Sequence, residues 1–205
     1  MTVAVTGPFA SGKSTFVTIL SELGAEIVSA DEIVHDLLAR DKETIRRVVE
    51  RFGEEVVHKE SGVDRRALGR KVFGDPEALQ DLENILHPLV HRETTRRIED
   101  SGADLFVAEI PLLFEGGRSA SFDYTVALVV PEERRRAWAA ERGADETALQ
   151  AIEARQLPQE EKAKRADVVV QNDGSLDKLR EQAEGLRERI SRERGTDGSV
   201  QKQEA

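Results

Sequence analysis

The stretch Val3-Ala4-Val5-Thr6-Gly7-Pro8-Phe9-Ala10-Ser11-Gly12-Lys13-Ser14-Thr15 governs how the rest of this chain is read. An apolar run leads into Gly7–Ser14, which fits the spacing G-x-x-x-x-G-K-[ST]. A helical pattern follows from Gly12 to about Leu23, where Gly24 supplies a natural stop. The glycines let the backbone turn tightly, so successive N–H groups converge, and the start of the helix adds its positive dipole end. Such a cradle suits phosphate oxygens. Lys13 is predicted to reach the β- and γ-phosphates, and the Ser14 hydroxyl to ligate Mg²⁺. With strand, loop and helix in register, the expected ligand is a nucleoside triphosphate with Mg²⁺ rather than none at all, as a chance glycine turn would imply. The loop alone leaves open whether the chain phosphorylates an acceptor, hydrolyses ATP or switches on GTP.

Outward from the loop, Val3–Thr6, Glu26–Ser29, Asp104–Ile110, Tyr124–Val130 and Asp167–Gln171 are short apolar runs separated by helix-like stretches. That alternation predicts an α/β fold with a five-stranded parallel sheet flanked by helices. Asp31–Gly102 shows helical spacing and no convincing strand: Ile45, Val48, Val49 and Phe52 share one face, as do Leu79, Leu82, Ile85, Leu86 and Leu89. It is too long for one crossover, so a helical lobe is expected. Pro131–Arg165 is rich in Arg, Glu and Ala with few large apolar residues, which suits a mobile, weakly packed lid. Leu176, Leu179, Leu186 and Ile190 give a last helix its docking face. The expected organisation is a nucleotide-binding core from residues 1–30, 103–130 and 166–193, a helical lobe at 31–102, a lid at 131–165 and a polar, disordered tail at 194–205.

Composition narrows the function. The 205 residues hold 30 Lys+Arg against 40 Asp+Glu, a net charge of −10, which argues against nucleic-acid or anionic-membrane partners. No cysteine is present, which excludes disulfides, thiolate metal sites and thiol catalysis. No apolar run approaches membrane-spanning length and the first residues lack a basic leader, so a cytoplasmic protein is expected. A monomer or weak homo-oligomer is the expected assembly.

Several motifs bear on the reaction. A GTPase switch would carry N-K-x-D and an Asp-x-x-Gly after a strand, and neither occurs. A mechanical ATPase would end a strand in Asp-Glu, whereas Ala108-Glu109-Ile110-Pro111 offers one carboxylate. A helical lobe with an Arg-rich insertion is instead the layout of a small kinase that closes over its acceptor and excludes water. Asp31 follows the second strand, where a carboxylate can accept an acceptor hydroxyl's proton and help hold hydrated Mg²⁺, or can N-cap the helix Glu32–Ala39. Glu109 reads as a Mg²⁺ carboxylate or as a strand end facing water. Glu115 before Gly116-Gly117 reads mainly as an exposed turn. Asn172 and Gly174 border an adenine or form a plain turn. His87 and His91 have zinc-like spacing, but Pro88 lies between them, and packing or acceptor contacts are preferred. Arg134-Arg135-Arg136 reads as a solvated face or an anion site.

These motifs together resemble the dephospho-CoA kinase family from Val3 to about Leu179. The matching segments are the phosphate loop, Ala30-Asp31, Val63-Asp64-Arg65-Arg66-Ala67-Leu68-Gly69 with Val72-Phe73, Leu82-Glu83-Asn84-Ile85-Leu86-His87-Pro88, and Glu109-Ile110-Pro111-Leu112-Leu113-Phe114-Glu115. Gln156, Glu160-Glu161-Lys162, Ala166-Asp167 and Asn172-x-Gly174 complete the order. The resemblance implies ATP-dependent phosphorylation of the ribose 3′-hydroxyl of dephospho-CoA, the last step of coenzyme A synthesis. The lobe at 31–102 then faces the CoA moiety. It implies ATP binding by Gly7, Pro8, Phe9, Ala10, Ser11, Gly12, Lys13, Ser14 and Thr15, with Asn172 and Gly174. It also implies acceptor binding by Asp31, Arg65, His87, Pro111, Leu112 and Leu113, metal binding by Ser14, Asp31 and Glu109 (partly through water), and catalysis by Asp31 and Lys13. Arg142 and Arg155 are expected to bring the lid's positive charge to the transferring phosphoryl group. The chain departs from the family pattern at Pro8, which removes a backbone N–H, and at Ser29, in place of the first Asp of D-A-D. It departs again at Trp138 and Ile152, where lid arginines are usual. Another small-metabolite or nucleotide kinase, or a catalytically idle ATP-binding module, is the alternative.

Overall fold

The computed structural model describes residues 1–58, 62–72 and 74–200, with side chains as far as Glu193. β1 (Thr2–Thr6) is apolar on both faces, and Val3, Ala4 and Val5 are completely buried, as a strand covered by helices on both sides requires. It runs into the glycine loop and then α1 (Lys13–Glu22), which is closed by Gly24 at φ 93° with its N–H on Ser21 O. β2 (Glu26–Ser29) leads to α2 (Ala30–Arg40) and α3 (Lys42–Phe52), the latter capped by the Asp41 carboxylate on Thr44 N at 2.8 Å. Next come β3 (Val57–His58), β4 (Gly62–Val63), α4 (Arg65–Val72) and α5 (Pro76–Asp100). The chain continues through β5 (Phe106–Glu109), β6 (Tyr124–Val129), α6 (Glu132–Glu141), α7 (Glu146–Glu153), α8 (Gln159–Arg165), β7 (Val168–Gln171) and α9 (Leu176–Val200). Helical backbone thus continues into the stretch expected as a tail, and residues 201–205 lie outside the described residues.

The chain forms two units. One comprises Met1–Ile27 and the chain from Ser101 onward, and the other is Val28–Asp100. The five-stranded sheet has the order β2-β5-β1-β6-β7, so β1 is central, and its pairings with β5 and β6 are parallel, as is that of β6 with β7. The expected α/β sheet is therefore present, with its five strands where the apolar runs lie. Phe16 and Leu20 of α1, Leu179, Ala183, Leu186 and Ile190 of α9, and Val3, Val5, Val107, Val126 and Leu128 of the sheet make one apolar core. In register, Val5 lies beside Glu109, which sets that carboxylate next to the strand that launches the glycine loop.

The second unit has its own core of Leu38, Val48, Phe52, Val56, Val63, Leu68, Val72, Ala78 and Leu86. It is helical as expected, with one addition: β3 and β4 pair as a small antiparallel hairpin. Two-residue strands carry no readable alternation, so periodicity cannot reveal them. Gly62 of β4 sits at φ 76°, and a Cβ there would come within 2.5 Å of Ala39 O. The hairpin therefore rests on a backbone approach that only glycine permits.

Candidate active site

The loop between β1 and α1 is shaped by two glycines. Gly7 has φ 154°, and a Cβ on it would lie 2.8 Å from Ser11 Oγ and 2.9 Å from Leu128 O. Gly12, at φ 84°, stands at the N-terminus of α1, and a Cβ on it would meet Asn172 Nδ2 at 2.2 Å. Between them Ala10 also adopts a positive φ of 60°, a conformation an L-residue keeps only where its surroundings enforce it. Those surroundings are three anchors. Asn172 Nδ2 donates to Ser11 O at 2.9 Å, Phe9 N donates to Gln156 Oε1 at 3.1 Å, and Ser11 N reaches Pro8 O at 3.3 Å.

Lys13 is buried, and its ammonium donates to Gly7 O at 3.2 Å and Pro8 O at 2.8 Å, so the cation is held at the mouth of the loop. Ser14 is exposed and its hydroxyl donates to Glu109 Oε1 at 3.0 Å. Sequence reasoning left Glu109 between two roles; the structure brings it to Ser14 from the neighbouring strand β5. Ser11 Oγ is buried and has no hydrogen-bond partner among the described residues. A hydroxyl and a carboxylate as hard oxygen donors, an ammonium, and a backbone cradle that a Cβ would fill suit a phosphate-bound Mg²⁺. No cluster of three or more His, Asp or Glu side chains that could cage a metal by itself occurs among the described residues.

Asn172, at the exit of β7, is buried. Its N–H donates to Val129 O at 2.8 Å and its Oδ1 accepts from Gly174 N at 3.1 Å. It is therefore more than a plain turn residue: it clasps the phosphate loop to the end of the sheet. Beside it lies a cleft of about 260 Å³ lined by Gly12, Thr15, Trp138, Arg142, Asn172 and Gly174, among others. The Arg134 guanidinium lies over the Trp138 ring, 5.9 Å from its centroid.

In the segment expected as a weakly packed lid, helices α6 and α7 are mostly exposed but make one contact with the loop. Ala10 of the loop packs with Ala139 and Leu149, and Phe9, Trp138 and Ala144 close around them. Small residues let α6 approach the loop closely, which a count of large apolar residues does not register. Arg135 corrects the reading of Arg134–Arg136 as a solvated face: it is 6% exposed and bonded to Glu132 at 2.9 Å and to Glu153. Burial works against its charge, but the bonds to Glu153 and Glu132 outweigh that and raise its pKa. Arg136 is exposed and pairs with Glu146 at 2.6 Å and Glu132 at 2.8 Å. Arg142, which follows α6, and Arg155, which follows α7, are both exposed.

Glu115 is not a simple exposed turn. Its carboxylate lies 2.8 Å from Lys162 Nζ and accepts from Leu157 N at 2.7 Å. Lys162 is completely buried, and burial pushes its ammonium pKa down against the pull of Glu115. Gln156 and Lys162 had no role assigned from sequence; only their contacts reveal one. In the second unit Asp31 lies in the first turn of α2, exposed, with Ser29 rather than Asp31 at the N-cap position. The cap reading of Asp31 fails because the helix begins two residues earlier than expected, at Ala30. Also in that unit, Arg65 opens α4 and approaches His35 Nδ1 at 3.5 Å, while His87 is half-buried within α5. Pro111, Leu112 and Leu113 follow β5, with Leu113 fully buried.

A dephospho-CoA kinase family model matches residues 1–178. The chain belongs to the dephospho-CoA kinase family. A dephospho-CoA kinase from Carboxydothermus hydrogenoformans is 40% identical over 185 residues, covering 88% of this chain and 89% of that protein. A dephospho-CoA kinase structure from Campylobacter jejuni superposes with TM-score 0.69 at 30% identity, over 94% of this chain and 98% of that one. A Thermus thermophilus crystal structure gives TM-score 0.77 at 36% identity, over 92% of this chain and 97% of that one. As a dephospho-CoA kinase family member the chain is a P-loop, ATP-using transferase, and no helix among its described residues is long and apolar enough to cross a membrane. Two of its departures from the dephospho-CoA kinase pattern now have surroundings. Pro8, which has no N–H to offer, accepts from Lys13 Nζ through its carbonyl, and Trp138 packs on the Ala10–Ala139–Leu149 cluster.

Proposed function

We propose that the protein transfers the γ-phosphoryl group of ATP to the ribose 3′-hydroxyl of dephospho-CoA, giving coenzyme A. The observation that carries this reading is the glycine loop with Lys13 and the Ser14–Glu109 contact, in a chain whose family match spans residues 1–178. Backbone N–H groups of Phe9–Thr15 receive the β- and γ-phosphates, with Phe9 leaving Gln156 and Ser11 leaving Pro8 O as Lys13 exchanges its carbonyl partners for phosphate oxygens. Ser14 and Glu109, with Asp31 partly through water, hold Mg²⁺. Bound there, Mg²⁺ supplies charge neutralisation along the triphosphate. Asn172 and Gly174 border the adenine in the cleft beside Trp138. Asp31 orients the acceptor hydroxyl and takes its proton, while Arg65, His87 and Pro111–Leu113 position the remainder of dephospho-CoA. Arg142 and Arg155 bring positive charge to the phosphoryl group in flight. Because that transition state is loose, positioning and electrostatics outweigh proton removal. The protein acts in the cytoplasm as a monomer or weak homo-oligomer, and its acidic composition fits a lack of nucleic-acid or membrane partners.

The test is phosphate transfer from Mg-ATP to dephospho-CoA, adenosine, AMP and gluconate side by side. Transfer to dephospho-CoA at a kcat/KM far above the others is expected. A higher kcat/KM with any of the other three would favour a different small-molecule kinase, and ATP binding without transfer to any acceptor would favour an idle module.

A further inference from the structure

Lys162 stands where three segments of the first unit meet. Its side chain is fully buried, and its ammonium donates to Pro111 O at 2.6 Å while lying 2.8 Å from Glu115 Oε1. The same Pro111 carbonyl accepts from Thr6 Oγ1 at 3.1 Å, and Thr6 is the last residue of β1 before Gly7. The same Glu115 oxygen accepts from Leu157 N at 2.7 Å, in the segment joining α7 to α8. One ammonium therefore ties the root of the phosphate loop, both ends of the Pro111–Glu115 loop and the base of the lid. Filling a core does not require this arrangement. Burying an ammonium is costly even when it is paired, and an apolar side chain would fill the space at lower cost. What the charge adds is direction, because both acceptors must keep hydrogen-bond distance and angle to one nitrogen.

We infer that Lys162 is a positioning residue for phosphoryl transfer, holding the acceptor-side loop Pro111–Glu115 in one geometry with respect to the phosphate loop and the lid base. The inference rests on the reading of Pro111–Leu113 as part of the acceptor side. Lys162→Met keeps the length of the side chain and removes its donors. It is expected to lower kcat/KM for dephospho-CoA by roughly 10²-fold while a fluorescent ATP analogue binds within about threefold of the parent, as for a misplaced but intact reacting group. Hydrogen exchange should quicken at amides 112–117 and at Leu157. A variant that melts earlier but keeps parental kcat/KM when folded would reduce Lys162 to a core residue and overturn the inference. If Lys162→Met does not fold, Glu115→Gln, which keeps one acceptor oxygen but removes the charge opposite Lys162, is measured instead. A roughly 10-fold loss in kcat/KM with faster exchange at Leu157 supports the inference, and unchanged values refute it. A parent protein inert toward dephospho-CoA would remove the acceptor reading alone. The exchange comparison would still decide the anchor, since unchanged exchange at both segments means Lys162 holds neither.

Discussion

Replacing Gly12 with alanine tests whether the phosphate loop is held by Asn172. Gly12 sits at φ 84°, and a Cβ there would lie 2.2 Å from Asn172 Nδ2 and 3.5 Å from its Cγ. The neighbour cannot swing aside freely, since Asn172 is 5% exposed and engaged with Ser11 O, Val129 O and Gly174 N. Left-handed backbone at an alanine costs about 1–2 kcal/mol. Expelling the amide leaves Ser11 O without its donor, a further ~1–3 kcal/mol. The expected destabilisation is about 2–5 kcal/mol, a drop in Tm of roughly 5–15 °C for a chain of this length. Urea and thermal melts of Gly12→Ala, Asn172→Ala and the double variant measure it. In the Asn172→Ala background the clash is gone, so the glycine change should cost only its backbone share of about 1–2 kcal/mol, and the two sites should be non-additive by ~1–3 kcal/mol. A Gly12→Ala protein melting within about 1 °C of the parent would refute the steric argument. The full cost persisting without Asn172 would show that the two residues do not meet.

The other expectations concern charge. Lys13→Ala should cut kcat/KM for ATP by roughly 10²–10³-fold, as loss of a preorganised donor does, and steady-state kinetics on the folded variant check this. Near-normal turnover would end the phosphate role. Asp31→Asn should lower kcat by ~10²-fold or more with ATP affinity preserved, and a variant altered only in Tm would leave Asp31 structural. Arg142→Ala and Arg155→Ala should lower kcat more than they raise the KM for ATP, by up to ~10³-fold, and normal turnover by both would place the clamp elsewhere. Glu93, bonded to Arg96 and Arg97, has its pKa pulled down to about 2, first by Arg96. Its folded pKa lies below the unfolded one, so its contribution is present above the usual carboxylate range and is lost as pH falls toward 2. A carboxyl NMR titration with a midpoint near the usual value would show that these pairs do not form in solution.

Some of this protein was written locally. The phosphate loop needs two permissive glycines, a lysine and a hydroxyl within eight residues between a strand and a helix, and adjacent residues alone determine it. The sheet was legible for a related reason: each buried strand is a continuous apolar run, and helices between such runs dictate parallel pairing. Contacts between segments distant in the chain were not legible. Ser14 and Glu109 are 95 positions apart, and Ser11 and Asn172 are 161 apart; only strand register and the turn after β7 bring them together. Side-chain burial was also hidden wherever charge stood in for hydrophobicity. Lys162 in Glu160-Glu161-Lys162 and Arg135 in Arg134-Arg135-Arg136 look like solvated surface, yet each is buried against partners from another segment. A charged residue's own neighbours cannot say which way it faces, because the carboxylate that makes its burial tolerable arrives from elsewhere in the chain. Sequence thus determined the chemistry the loop can do, and tertiary structure decided which distant side chains hold it in place.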